Sequence, residues 1–380
     1  MSRTEKDYEK IKLLGKGNFG EVHSAITPEG KTIALKVIDL PRNNPRLLEE
    51  TRNEIGALRR LSENGCNSHV VCYYDSFYDS YNNKLLIEME YIKGSSLTTY
   101  VNKLKNEYPA DIGYYKLLLL TRDIADGLQY IHNRGVVHND IKPDNIMVDE
   151  NNENDVSKIV DFGLACNTVT TGGKYCIKDG GSPNFIPPEY TTQNKVRYPA
   201  SDMWALGVSL YQLATGRLPF NLYGTRNIPD LLNVIATRPT FRLNTTNQQL
   251  NELVNGLLVK DPRYRLTAKQ VVDMLQVIRK PQSMIQAEIR IEKERRQRKE
   301  EQRKEQTSEL EQILLKELKR NKPDISSIYQ EEEIYSLMRK SPEPSKPVRQ
   351  KVRKVLTGIQ AKSLVKLDPG KAALLLSTLY

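Results

Sequence analysis

Hydrophobic positions alternate with polar ones in the first part of the chain and recur at helical spacing after Gly94. From Tyr8 to Ile38 the pattern is that of strands: Ile11 and Leu13, then Val22 leading into Ala25 and Ile26, a Pro28-Glu29-Gly30 turn, and Ile33, Leu35 and Val37 alternating. Three consecutive strands are expected there. Arg46 to Leu61 places Leu48, Ile55, Leu58 and Leu61 at helical spacing, and strand-like runs return at Val70 to Phe77 and Leu85 to Glu90. Further on, Tyr114 to Arg134 and Ser201 to Gly216 read as long apolar-periodic helices, with shorter ones to about Ile278. The expectation is an α+β fold: a β-rich lobe with one helix over residues 1–93, then a larger α-helical lobe over 94–280.

The pattern changes again after Pro281, where Glu, Lys, Arg and Gln dominate. No aliphatic or aromatic side chain occurs from Glu292 to Glu309, so a heptad core is impossible in that stretch. Residues 281–322 are expected to form a solvated charged helix, supported by (i, i+4) pairs such as Glu292 with Arg296 and Glu300 with Lys304. Residues 323–380 read as a proline-containing linker and basic tail, with Pro323 and the run from Ser341 to Pro347 as breakers. Dimerisation through the charged helix is disfavoured, and a monomer is expected.

Charge sharpens this division. Of a net +10, residues 281–380 hold +7. Within them Val348, Val352, Val355, Leu356 and Ile359 fall at helical spacing among Arg349, Lys351, Arg353, Lys354, Lys362 and Lys366. Such a basic amphipathic helix can dock on acidic proteins, anionic lipid or nucleic acid; a solvated helix packed weakly on the preceding lobe is the more common outcome. The apolar runs fall far short of the roughly 20 residues that cross a bilayer. Met1 to Asp7 lacks the apolar core of a secretion signal, so a cytoplasmic, reducing compartment is expected. Cys66, Cys72, Cys166 and Cys176 lack paired metal-ligand spacing and are expected as buried or free thiols. A redox role for Cys166 and Cys176 is the alternative reading.

The chemistry begins at Leu14, with Gly15-Lys16-Gly17-Asn18-Phe19-Gly20-Glu21-Val22 between two strand-like segments. Glycines there let backbone close over phosphates without side chains intervening. A G-x-G-x-x-G run alone is equally compatible with a Rossmann turn or an ordinary hairpin, but no helix follows it and no acidic residue is placed to hold a ribose. In the next strand Ala34 and Lys36 share one face and Ile33 and Leu35 the other. Lys36 is either a solvated edge lysine or, given the glycine loop, a partner for phosphates. Glu54 in the following helix is its natural counter-ion, with Glu49 and Glu50 as competitors. Gly56 costs that helix on the order of 1 kcal/mol relative to alanine.

Val137-His138-Asn139-Asp140-Ile141-Lys142-Pro143-Asp144-Asn145-Ile146, followed by Ile159-Val160-Asp161-Phe162-Gly163, resembles the catalytic loop and metal-binding triplet of the eukaryotic-type protein kinases. Any one Asp or Asn could be a turn or cap residue; agreement of the whole set in order is a different matter. The resemblance covers residues 8 to 278 and implies ATP and Mg²⁺ as cofactors and protein substrates as partners. It implies that Asp140 accepts the substrate hydroxyl proton, that Lys142 steadies the transferring phosphate, and that Asn145 and Asp161 bind magnesium. It also implies that Lys36 pairs with the α- and β-phosphates, and that Ala34, Met89, Glu90, Ile92 and Met147 line the nucleotide pocket, Glu90 and Ile92 through their backbone. Gly181 to Glu189 is similar to the end of an activation loop, with Pro187 where alanine is usual. Glu189 is then expected to pair with Arg265, and Asp202 to brace the catalytic loop.

One departure stands out: the family generally has arginine where this chain has Asn139, and that arginine clamps a phosphate on the activation loop. Asparagine carries no charge, so activity is expected not to depend on phosphorylating Thr168, Thr170, Thr171, Tyr175 or Ser182. Lys142 and Ser182 are similar to the serine/threonine branch. A working kinase, a nucleotide-binding scaffold lacking catalysis and a basic-tailed adaptor are the rival functions. The presence of Lys36, Asp140, Asn145 and Asp161 together favours the first.

Overall fold

The computed structural model describes residues 3–17, 20–40, 44–150, 155–190, 194–278, 284–286 and 288–302. Two compact units divide at Arg279 and Lys280. In the first, β1 (Glu9–Gly17), β2 (Gly20–Ile26) and β3 (Thr32–Asp39) form consecutive antiparallel pairs, and α1 (Pro45–Ser62) follows. Asn44 starts α1 by accepting from the Leu47 amide at 3.0 Å, and Pro45 sits in the first turn, where its missing N–H costs nothing. β4 (Tyr73–Asp79) and β5 (Lys84–Met89) complete an antiparallel sheet of order β1-β2-β3-β5-β4. Alternation along β3 sends Ile33, Leu35 and Val37 to a small apolar cluster with Tyr8, Ala25 and Leu86. The other face gives Ala34 and Ile38 to the main core, as the period of 2 requires.

The remainder of this unit is largely helical. β6 (Gly94–Ser96) leads into α2 (Leu97–Glu107), capped by the Ser96 hydroxyl, and then α3 (Ala110–Asn133). The chain next forms β7 (Val136–Val137), β8 (Ile146–Asp149), β9 (Val156–Ile159), β10 (Cys166–Asn167), β11 (Cys176–Ile177) and β12 (Val196–Arg197). These pair as β6-β8-β9, β7-β10 and β11-β12. α4 (Pro199–Thr215), α5 (Ile228–Thr237), α6 (Gln248–Leu257) and α7 (Ala268–Leu275) close the unit. α4 is apolar on nearly all sides because it is buried on nearly all sides, with Trp204, Leu206, Val208 and Leu210 fully enclosed. The structure is thus α+β, a sheet with one helix followed by a mainly helical remainder.

In the second unit residues 288–302 are helical, and Arg296 donates to Glu292 at 3.0 Å across one turn. Lys304, the linker and the basic stripe of residues 348–366 lie outside the described residues. Among the described residues no helix is long and apolar enough to cross a membrane.

The cysteines correct the expectation of free thiols. Cys66 is joined to Cys72 and Cys166 to Cys176, with Cα separations of 5.2 and 6.1 Å. Those separations lie within the range a disulfide spans. Sequence spacing carries no trace of it, because the loop after α1 and the fold-back between β10 and β11 bring the pairs together.

Candidate active site

β3, α1 and the loop after β9 converge on one buried lysine. Lys36 stands opposite Val22 of β2 and Ile87 of β5 in the sheet register. Its ammonium lies 2.5 Å from Glu54 of α1 and 3.4 Å from Asp161. Burial opposes the charge on Lys36, yet the two carboxylates outweigh it and raise its pKa. Glu54 is thus the counter-ion; Glu49 and Glu50 are not the residues that meet Lys36.

A second convergence comes after β7. Asp202 of α4 accepts from the backbone amides of His138 and Asn139 at 2.9 and 2.8 Å, and from the His132 ring at 2.9 Å. This fixes the turn in which Asn139 takes φ 68°, a left-handed conformation that asparagine tolerates better than most residues. Asp140 emerges from the turn within reach of several donors. Its Oδ1 accepts from the Ser182 amide at 2.9 Å and its Oδ2 from Lys142 Nζ at 2.7 Å and Asn145 Nδ2 at 2.9 Å. Burial alone would raise the Asp140 pKa, but the Lys142 and Ser182 bonds prevail and lower it. Asp161 behaves similarly: burial pushes its pKa up, and the charge of Lys36 brings it below the ordinary value. Asp161 also has positive φ, 62°; such outliers concentrate at functional sites.

A cleft of about 1420 Å³ joins the two clusters. Leu14, Gly15, Lys16, Gly20, Val22, Ala34, Lys36, Glu54, Met89, Glu90, Ile92, Asp140, Lys142, Asn145, Met147 and Asp161 all line it. Glu21 does not; its carboxylate turns to Lys16 and His23 at 3.0 and 3.2 Å. Gly17 ends β1 opposite Gly20, while Asn18 and Phe19 lie outside the described residues. Gly20 is required by close approach: a Cβ there would stand 2.0 Å from the Val37 carbonyl oxygen of β3. The Glu90 amide already donates to the Cys72 carbonyl at 2.8 Å, so Glu90 can offer an adenine its carbonyl but not its N–H. Its side chain is held by Lys158 at 2.7 Å.

Several contacts of the site have no sequence signal. Val71 and Val160 line the cleft but read as ordinary core residues. Ser182 touches both Asp140 and, through its hydroxyl, Lys142 at 2.8 Å; its distance along the chain hides this. Asn139 Nδ2 donates to the Leu164 carbonyl at 3.0 Å and to Cys166 Sγ at 2.9 Å, so it holds the segment after Asp161 by neutral contacts. Farther off, Arg265 makes two 2.9 Å bonds to Glu189.

A glycine-lipped cleft with a buried Lys–Glu pair on one wall and a hydrogen-bonded aspartate on the other defines a nucleotide-binding catalytic domain. Residues 8–277 match the family described as "Protein kinase domain", and the chain belongs to that family. It is 31% identical over 267 residues to Myosin light chain kinase 3 of Danio rerio, covering 68% of this chain and 34% of that one. Mitogen-activated protein kinase kinase kinase YODA of Arabidopsis thaliana is 30% identical, over 70% of this chain and 29% of its own length. Mitogen-activated protein kinase kinase SIPKK of Nicotiana tabacum is 30% identical, over 70% and 72% respectively. The chain therefore spans only about a third of the first two relatives, at 34% and 29%.

Proposed function

We propose that this chain is an ATP-dependent protein serine/threonine kinase that works without phosphorylation of its activation loop. The observation that carries the reading is the meeting of Lys36, Asp140, Lys142, Asn145 and Asp161 in one cleft. Asp140, kept ionised, accepts the proton of a substrate hydroxyl. Lys142, beside it, neutralises charge on the transferring phosphate, and Lys36 orients the phosphates nearer the nucleoside.

The donor chemistry at Asn145 and Asp161 fits Mg²⁺. Asn145 spends its Nδ2 on Asp140, which leaves an amide oxygen, and Asp161 supplies a carboxylate; these are hard oxygen ligands, few in number, of the kind magnesium takes together with substrate phosphates. Asn145 and Asp161 would hold the ion, which would supply positive charge against the phosphates.

Loop independence is supported by Asn139, which holds Leu164 and Cys166 without any charge for a phosphate to complete. The serine/threonine assignment is supported by the Lys142–Ser182 contact and by similarity to relatives that are named serine/threonine-protein kinases. The lobes over 1–93 and 94–280, the charged helix over 281–322 and the tail over 323–380 complete the proposed organisation of a chain that is monomeric in the cytoplasm.

The test is transfer of labelled γ-phosphate from Mg·ATP to a generic basic protein, before and after phosphatase treatment of the kinase, with phosphoamino-acid analysis of the product. Phosphoserine or phosphothreonine formed at an undiminished rate after stripping is expected. Activity that disappears on stripping and returns with loop phosphorylation would sink the independence claim.

A further inference from the structure

Arg197 is a second cation beside the catalytic segment that the kinase chemistry leaves unassigned. It lies on β12, opposite Cys176 of β11, and is 1% exposed. No carboxylate of the described residues forms an ion pair with it. A buried guanidinium without one is expensive, and its hydrogen bonds go to backbone: Nη2 donates to the Gly180 carbonyl and Nε to the Lys178 carbonyl at 3.5 Å. Its planar group stacks 4.2 Å from the Tyr190 ring centre. Tyr190 in turn donates to Asp179 at 2.8 Å, and Lys195 grips the other oxygen of Asp179 at 2.6 Å. Residues 178–180 are therefore held from three directions.

The turn at Gly180 and Gly181 links this anchored stretch to catalysis. The two glycines take φ of 102° and 113°, values that a side chain would strain. A Cβ on Gly181 would meet the Asn139 carbonyl at 3.2 Å and Arg197 Nη2 at 3.4 Å. The turn delivers the Ser182 amide to Asp140 and the Ser182 hydroxyl to Lys142.

We propose that Arg197 is a positioning residue for Asp140: by holding the Lys178 and Gly180 carbonyls from within the chain, it sets the Ser182 contact and takes the part that a loop phosphate would otherwise play. This deepens the kinase reading and rests on it. Asn139 fastens the start of the segment at Leu164, and Arg197 fastens its end at Gly180. Both clamps are intramolecular, so no added phosphate is needed to complete either.

The test compares wild type, Arg197→Met and Arg197→Lys, each phosphatase-treated, in steady-state kinetics with a serine peptide and Mg·ATP, alongside thermal melting with and without a non-hydrolysable ATP analogue. Loss of charge-assisted hydrogen bonds predicts that Arg197→Met lowers kcat/KM for the peptide by roughly 10–100-fold. KM for ATP and the melting shift produced by the analogue are expected to stay at wild-type values, and Arg197→Lys is expected to recover part of the loss. A folded Arg197→Met with wild-type peptide kinetics overturns the proposal. So does an equal deterioration in peptide and ATP parameters, which would mark general damage. If Arg197→Met fails to fold, Arg197→Lys decides by the same split between peptide and ATP. Wild type without any transfer refutes the kinase reading itself, and the role of Arg197 falls with it.

Discussion

Asp140 is pulled both ways. Burial favours its neutral form, while Lys142 and Ser182 favour the carboxylate and prevail. A carboxyl depressed in the folded state stays ionised as pH falls through the ordinary carboxylate range and protonates only below it. Activity that needs the anion is therefore present above that depressed value and lost as pH falls through it. Lys142→Met removes one of the lowering contacts, so the acid limb of its pH–rate profile is expected at higher pH than in wild type. Coincident acid limbs would contradict the electrostatic role given to Lys142. At this scale the sequence is most informative for residues whose spacing along one loop is itself the chemistry, as with Asp140, Lys142 and Asn145. It is silent on Ser182 as a partner of Asp140 and on Arg197, because those contacts depend on a return of the chain that no local pattern encodes.

Among the elements, the longer ones are legible and the short ones are not. Periodicity places α1 over Arg46 to Leu61 and the helix runs Pro45–Ser62, and the β1-β2-β3 start follows its alternation. The two-residue strands β7, β10, β11 and β12 are too short to display any period, and their places are set by pairing with distant segments rather than by local pattern. They also carry both partners of the Cys166–Cys176 bond, which is why the thiol expectation fails there. At the β1–β2 hairpin, Gly20→Ala forces a Cβ against the Val37 carbonyl of β3. Displacement of the loop is expected to raise KM for ATP by roughly tenfold, about 1.4 kcal/mol, with little effect on peptide KM. An unchanged KM for ATP in the steady state would show that the hairpin adapts without cost.

For the molecule as a whole, the link between Glu189 and Arg265 joins residues far apart in sequence. The Arg265 side chain is fully enclosed and also donates to the Val259, Ala200 and Lys260 carbonyls. Glu189→Ala leaves that cation buried without its counter-charge, so a loss of about 3–5 kcal/mol in stability is expected from the denaturant midpoint. A loss below about 1 kcal/mol would mean that solvent reaches the arginine. This long-range pair can be anticipated only through the family resemblance, since nothing in either segment's own periodicity points to the other.

Catalysis by Asp140 is the central claim, and the most direct measurement is γ-phosphate transfer by Asp140→Asn beside wild type, with ATP-analogue binding measured on both. Asparagine preserves shape but cannot accept the proton, so transfer is expected to fall by about 10²–10⁴-fold while nucleotide affinity is retained. Wild-type transfer by Asp140→Asn, with nucleotide affinity intact, would contradict the account.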